Sequence, residues 1–267
     1  MNEALRGPAP LACAERGLWS ARAPENSVPA LEAAISEGCE MAAFDLRRTR
    51  EGDLVAFRDP ELSRMTAARG PVAGLATASL TRLPLRGGEG GAQPLTNAYL
   101  PMLSEILAAA RGRCALVLSL PDCADLDALA LWLCACNAAG DVALRARFAR
   151  PAAAAEFTAR VQRHGLAAMP SLCLAQSSGT DILDALLAAR PAMAELRRAA
   201  PEQVSRLAGP LSAAGIAVAA ATDGPGDDAA EADPDGIWGA LWEAGARVLS
   251  TARADALLRW RAGRVAA

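Results

Sequence analysis

Three stretches decide the architecture: residues 11–14 (Leu-Ala-Cys-Ala), 26–38 (Asn-Ser-Val-Pro-Ala-Leu-Glu-Ala-Ala-Ile-Ser-Glu-Gly) and 41–46 (Met-Ala-Ala-Phe-Asp-Leu). The first and third are short apolar runs of the kind that form buried strands. Between them Leu31, Ala34 and Ile35 recur on one helical face. Asn26 or Ser27 can cap that helix, and Pro29 is tolerated in its first turn. Strand, helix and strand in this order make one β/α step.

Working outward, the step repeats. Leu54–Phe57 is a short strand after the Glu51-Gly52-Asp53 turn. From Pro60 to Leu100 the pattern breaks into loops rich in Gly and Pro, with a glycine cluster over 87–91. Periodicity then predicts strands over 115–120, 142–146, 166–172, 192–196, 216–222 and 247–251. It places helices over 124–138, 151–164, 181–189, 201–214, 238–245 and 255–261. Eight β/α units in 267 residues fit a (β/α)8 TIM barrel. There is no internal repeat and no linker, so residues 1–267 are read as one domain.

Composition narrows the function classes. Apolar content is 52% and net charge −3, enough for a buried core and with no basic tract aimed at nucleic acid. All 27 basic residues are arginine, so no lysine can serve as a Schiff base. No stretch approaches the ~18 apolar residues of a membrane span, and the first 14 residues lack a signal-peptide pattern. A cytoplasmic location is expected. The seven cysteines are odd in number and scattered, and are read as free thiols. The one histidine, His164, is read as a surface residue near a helix C-terminus. Asp227, Asp228, Glu231, Asp233 and Asp235 are read as a solvated acidic loop, without the ligand spacing of a calcium loop.

Four motifs carry a resemblance: Glu15-Arg16-Gly17, Pro24-Glu25-Asn26, Ala43-Phe44-Asp45 and Phe57-Arg58-Asp59-Pro60. They resemble the HRG, PEN, ELD and FHDP motifs of the glycerophosphodiester phosphodiesterases. Pro101–Leu107 and Gly245–Thr251 resemble later segments of that family. The resemblance implies a barrel of the phospholipase-C-like phosphodiesterase type with a small inserted subdomain over 60–100. It also implies a phosphodiester substrate of glycerophospholipid metabolism, two histidines for acid-base work, and a divalent cation, Mg or Ca, held by two glutamates and an aspartate.

Carried over position by position, the resemblance puts the two histidines on Glu15 and Arg58. Arg58 cannot shuttle a proton near neutrality. Arg16 takes the phosphate-binding role. Asp45 remains as a metal ligand, but the other two ligand positions are Ala43 and Ser119, and a lysine position is Pro121. Glu25, Asn26 and Asp59 stand beside the site. No tightly bound cofactor is therefore expected, since a hard cation wants six or more oxygens.

Several readings stay open on the sequence. Glu15 and Arg58 either form an ion pair across the old phosphate site or are unrelated replacements. The chain is either a degenerate member that binds a phosphate-bearing small molecule or a protein partner, or a metal-independent hydrolase using Glu15, Arg16 and Arg58. Oligomeric state is not legible.

Overall fold

The computed structural model describes residues 9–120, 126–174, 179–222 and 224–265. Eleven strands are described: β1 (Leu11–Glu15), β2 (Met41–Arg48), β3 (Leu54–Ala56), β4 (Pro84–Arg86), β5 (Leu95–Tyr99), β6 (Ala115–Ser119), β7 (Val142–Phe148), β8 (Ala167–Cys173), β9 (Met193–Arg197), β10 (Ala217–Ala221) and β11 (Val248–Thr251). Eight of them run parallel in the order β1-β2-β6-β7-β8-β9-β10-β11, and β11 pairs back to β1. The sheet is a closed (β/α)8 barrel with helices between the strands, as the alternation predicts.

Side chains alternate across each strand, so every second residue points inward. Leu11, Cys13, Met41, Ala43, Val117, Ala143, Met169, Met193, Ala219 and Val248 form the apolar plug of the barrel. Two residues further along six of these strands the inward layer becomes polar: Glu15, Asp45, Ser119, Arg145, Ser171 and Glu195. That layer lies toward the carboxyl ends of the strands, where barrel sites are built. The outward faces pack on the helices through two larger apolar clusters.

The interval 60–100 is more ordered than loops alone. It holds the β4–β5 hairpin, a short helix over Thr77–Leu80, and its own small core of Val55, Phe57, Leu62, Met65, Val72, Leu80, Leu85 and Leu100. The acidic stretch is the main correction. Pro225–Ala232 is a helix, and Asp227 in its first turn is buried rather than solvated. Pro225 suits the start of a helix, but the segment has too few apolar residues to show a helical face. His164 is half-buried, with Nε2 2.9 Å from Asp127 Oδ1. The six described cysteines are free; Cys123 and Pro121 lie outside the described residues. No described helix is long and apolar enough to cross a membrane.

The first β/α turn is held closely. Ser27 caps the helix Val28–Glu37, accepting from Ala30 N at 3.2 Å and donating to the Pro24 carbonyl at 2.6 Å. Gly17 has φ +74, and a Cβ there would meet Ala30 at 2.8 Å. Gly38 at the helix end also has positive φ, but open space around it. Gly17→Ala should therefore combine left-handed strain with overpacking, for a loss of about 2–5 kcal/mol. Gly38→Ala should cost only about 1–2 kcal/mol. Thermal melts of both variants check this, and equal losses would refute the close-approach argument.

Candidate active site at the barrel mouth

The polar layer is organised by Arg145, an inward residue of β7 that is only 2% exposed. Its Nη1 and Nη2 donate to the two oxygens of Glu15 at 2.5 and 2.8 Å. Nη1 also donates to Glu195 Oε1 at 2.6 Å, and Nε to Ser119 Oγ at 2.9 Å. Ser171 Oγ donates to the other oxygen of Glu195 at 2.5 Å. A buried guanidinium thus has two carboxylates and a hydroxyl, the kind of compensation that a charge in a dry site requires. Burial raises the Glu15 carboxyl, but the charge and hydrogen bonds of Arg145, aided by Arg16 and Arg147, outweigh it and bring Glu15 from 4.5 to about 2.

Of the two readings left open for Glu15 and Arg58, the ion pair is not formed. Glu15 points into the barrel, where Arg145 reaches it from β7. Arg58 lies beyond the end of β3, exposed at the rim, and its carbonyl accepts from Arg47 Nε and Nη2 at 3.0 and 2.5 Å.

A second network ties the first β/α loop to the insertion. Arg16 pairs with Glu25, and with Glu89 at 2.7 Å. Glu25 also accepts from Arg64 at 2.5 Å, and Arg64 donates to Asp59 at 2.5 Å. Arg16 has φ +64 and stacks over Trp19 at 5.6 Å, with Arg253 over the same ring at 5.3 Å. The donors that suit Arg16 to phosphate are therefore engaged by carboxylates. Asn26 turns away from helix capping: its Oδ1 accepts from Asp45 N at 2.9 Å, and its Nδ2 lies 3.5 Å from Asp45 Oδ2. Burial, with a further push from the charge of Glu15 against the pull of Arg145, raises the Asp45 carboxyl above its ordinary value. Asp227 accepts from Thr251 Oγ1 at 2.6 Å, Thr222 Oγ1 at 2.9 Å and Ala252 N at 3.2 Å. Burial raises it as well.

Ala43 sits one layer below Asp45, in the apolar plug. Ser119 gives its oxygen to Arg145, and Asp45 is held by Asn26. Among the described residues no group of three or more His, Cys, Asp or Glu could hold a metal. A guanidinium reaches the centre that these side chains face. The donor set does not fit a divalent cation, which needs several charged oxygens with free lone pairs.

Sequence reasoning passed over Arg145, Glu195 and Ser171, and read Asp227 as a solvated loop residue. For the first two a signal was present. Arg145 falls in phase with inward Ala143, and Glu195 in phase with inward Met193, inside otherwise apolar strands. Opposite charges at matching inward positions of two buried strands imply an ion pair.

The fold is a (β/α)8 barrel shared with solved phosphodiesterases. Residues 16–121 match the model of the Glycerophosphoryl diester phosphodiesterase family. A Mycobacterium tuberculosis protein named "Probable glycerophosphodiester phosphodiesterase 1" is 37% identical over 82 residues, 31% of this chain. That match spans 29% of the relative's own length. A Glycerophosphoryl diester phosphodiesterase from Parabacteroides distasonis superposes with a TM-score of 0.79 at 20% identity, over 97% of this chain and 88% of that one. An Oleispira antarctica phosphodiesterase, solved with the product sn-glycerol-3-phosphate, superposes with a TM-score of 0.71 at 21% identity, over 96% and 97%. Residues 16–121 thus resemble the family in sequence, and the fold as a whole resembles that of its solved members.

Two outcomes follow from the Arg145 network. Arg145→Ala leaves Glu15 and Glu195 buried without their cation and should lose about 3–5 kcal/mol, whereas the triple change Arg145→Met, Glu15→Gln, Glu195→Gln should recover most of it. Denaturant titration of both proteins tests this. The second outcome concerns pH. The folded value of Glu15 is depressed, so its stabilisation is complete above about 4.5 and is lost as pH falls toward 2. Asp45 and Asp227 are raised, so their contribution has the opposite sign and favours the fold when they are protonated. The gap in urea midpoint between wild type and Glu15→Gln should thus shrink between pH 4.5 and 2. A gap that stays constant across that range would contradict the pairing.

Proposed function

We propose that this chain is a glycerophosphodiester phosphodiesterase barrel that has lost metal-dependent hydrolysis and binds a phosphate-bearing small molecule at its mouth. The observation that carries this reading is Arg145. Its guanidinium reaches Glu15, at a family histidine position, and Ser119, at a family metal-ligand position. A fixed monovalent cation stands where the family's chemistry calls for a divalent one. It pairs with two carboxylates of the layer but offers no exchangeable coordination position for a reacting oxygen. The cation-rich mouth supports an anionic ligand, and the product bound by the Oleispira antarctica neighbour supports phosphate as its chemistry. A cytoplasmic setting and a place in lipid metabolism belong to the same proposal.

The rival reading makes Glu15 the general base of a metal-independent hydrolase, with Arg16 and Arg58 holding phosphate charge. A carboxylate with a pKa of about 2, engaged at both oxygens by Arg145, is a weak base. Arg16 is already engaged by Glu25 and Glu89. Both facts speak against it.

The test is a restoration series assayed on glycerophosphodiesters with and without added Mg²⁺ or Ca²⁺. Glu15→His, Arg58→His, Ala43→Glu and Ser119→Glu together should stay inactive while Arg145 remains. Adding Arg145→Ala should permit calorimetrically detectable divalent binding, and turnover should appear only in that fuller combination, because these groups act as a unit. Chelator-resistant turnover in the unaltered protein, lost in Glu15→Gln, would replace this proposal with the rival.

A further inference from the structure

The mouth contains arginines that its carboxylates do not satisfy. Arg145 is paired by Glu15 and Glu195, and Arg16 by Glu25 and Glu89. Asp227 is engaged by Thr222 and Thr251. Arg58, Arg147 and Arg198 line the same cleft, about 290 Å³, and their guanidinium groups form no ion pair or hydrogen bond among the described residues. Asp45 is left facing them.

Arg147 occupies a defined place. It lies two residues beyond Arg145 on β7, so it points into the barrel one layer higher, at the opening. Arg197 stands in the same relation to Glu195 on β9. Burial, then the charges of Arg197 and Arg145, lower the pKa of Arg147 below its ordinary value. The cations are crowded, and a bound anion would relieve that crowding.

The mouth has a second wall. A cavity of about 670 Å³ shares Asp45, Arg58, Arg145 and Arg147 with the cleft and extends over Leu46, Leu120 and Phe148. This volume is in the ~300–1,000 Å³ range of small-molecule sites. Arg47 and Arg145 in its lining are engaged by the Arg58 carbonyl and by Glu15 and Glu195, which leaves Arg58 and Arg147 to face the cavity beside the apolar flank of Leu46, Leu120 and Phe148.

We propose that Arg58 and Arg147, not Arg16, anchor the anion, and that the ligand is a phosphate ester whose apolar substituent lies over Leu120 and Phe148. The guanidinium fork matches phosphate oxygens. Arg16, at the family's arginine position, instead holds the insertion to the first loop through Glu25 and Glu89. This inference rests on the phosphate-ligand reading above and adds its anchor and the character of its substituent.

Calorimetric titration of the full chain with inorganic phosphate, glycerol 3-phosphate and hexyl phosphate tests it. Hexyl phosphate should bind at least about tenfold more tightly than the other two. Arg147→Gln and Arg58→Gln should each weaken all three about tenfold, which corresponds to ~1.4 kcal/mol. Arg111→Gln, an exposed change before the start of β6 at the other end of the barrel, should leave them within about twofold. Leu120→Ser should remove the advantage of hexyl phosphate and spare inorganic phosphate. Both arginines are exposed, so folded variants are expected, and a thermal melt of each checks this. Unchanged affinity in both arginine variants would overturn the anchor while leaving the phosphate-ligand reading intact. Equal affinity for hexyl and inorganic phosphate would overturn the apolar substituent. Failure of every phosphate to bind the unaltered chain would overturn the underlying reading, and this inference with it.

Discussion

One buried guanidinium organises the mouth of this barrel. Arg145 donates to Glu15, Glu195 and Ser119 from β7, across the barrel from β1. None of these charges is tolerable there alone. A carboxylate or guanidinium removed from water costs several kcal/mol unless it is paired and hydrogen-bonded. Each member therefore fixes the others, and the strands β1, β6, β7, β8 and β9 are tied across the barrel axis by polar contacts above the apolar plug. Such a network contributes modestly to net stability, since an apolar layer could do as well. Its consequence is positional: it sets which groups can face a ligand.

That positioning gives each motif residue a structural partner. Arg16, Glu25, Asn26, Asp45 and Asp59 all stand at motif positions of the family. In this chain Glu25 bridges Arg16 and Arg64, Asp59 receives Arg64, and Asn26 holds Asp45. These residues form a lattice joining the first β/α loop to the insertion, with backbone bonds from Glu25 N to the Gly88 carbonyl and from Gly88 N to the Ser20 carbonyl. A motif can persist because it builds a mouth as well as because it acts on a substrate. Among the side chains near the mouth, Ala43 and Ser119 carry no charge, while Arg145 supplies a fixed one.

The insertion shows the same division at larger scale. Its short elements are stabilised by a small apolar cluster of their own, yet two of its residues, Arg64 and Glu89, complete the mouth through ion pairs with Glu25 and Arg16. Electrostatics, rather than apolar area, joins it to the barrel's opening.

By itself the sequence determined the barrel. Strand and helix signals are local: apolar runs of strand length, a helical stripe at Leu31, Ala34 and Ile35, and a capping serine at 27 act through neighbours in the chain. It also located the mouth, because the motif residues fall at strand ends. Tertiary structure decided what fills that mouth. Arg145 meets Glu15 across 130 positions and Glu195 across 50, and Asp227 meets Thr251 across 24. No local pattern encodes such contacts. The period-two phase of β7 and β9 says only that Arg145 and Glu195 point inward; closure of the barrel, which brings the ends of distant strands within hydrogen-bond reach, selects their partners. The family's two histidine positions left a Glu15–Arg58 pair open as one of two readings. The closed sheet places Arg145 nearer, and in a site poor in water the nearest well-aligned opposite charge prevails.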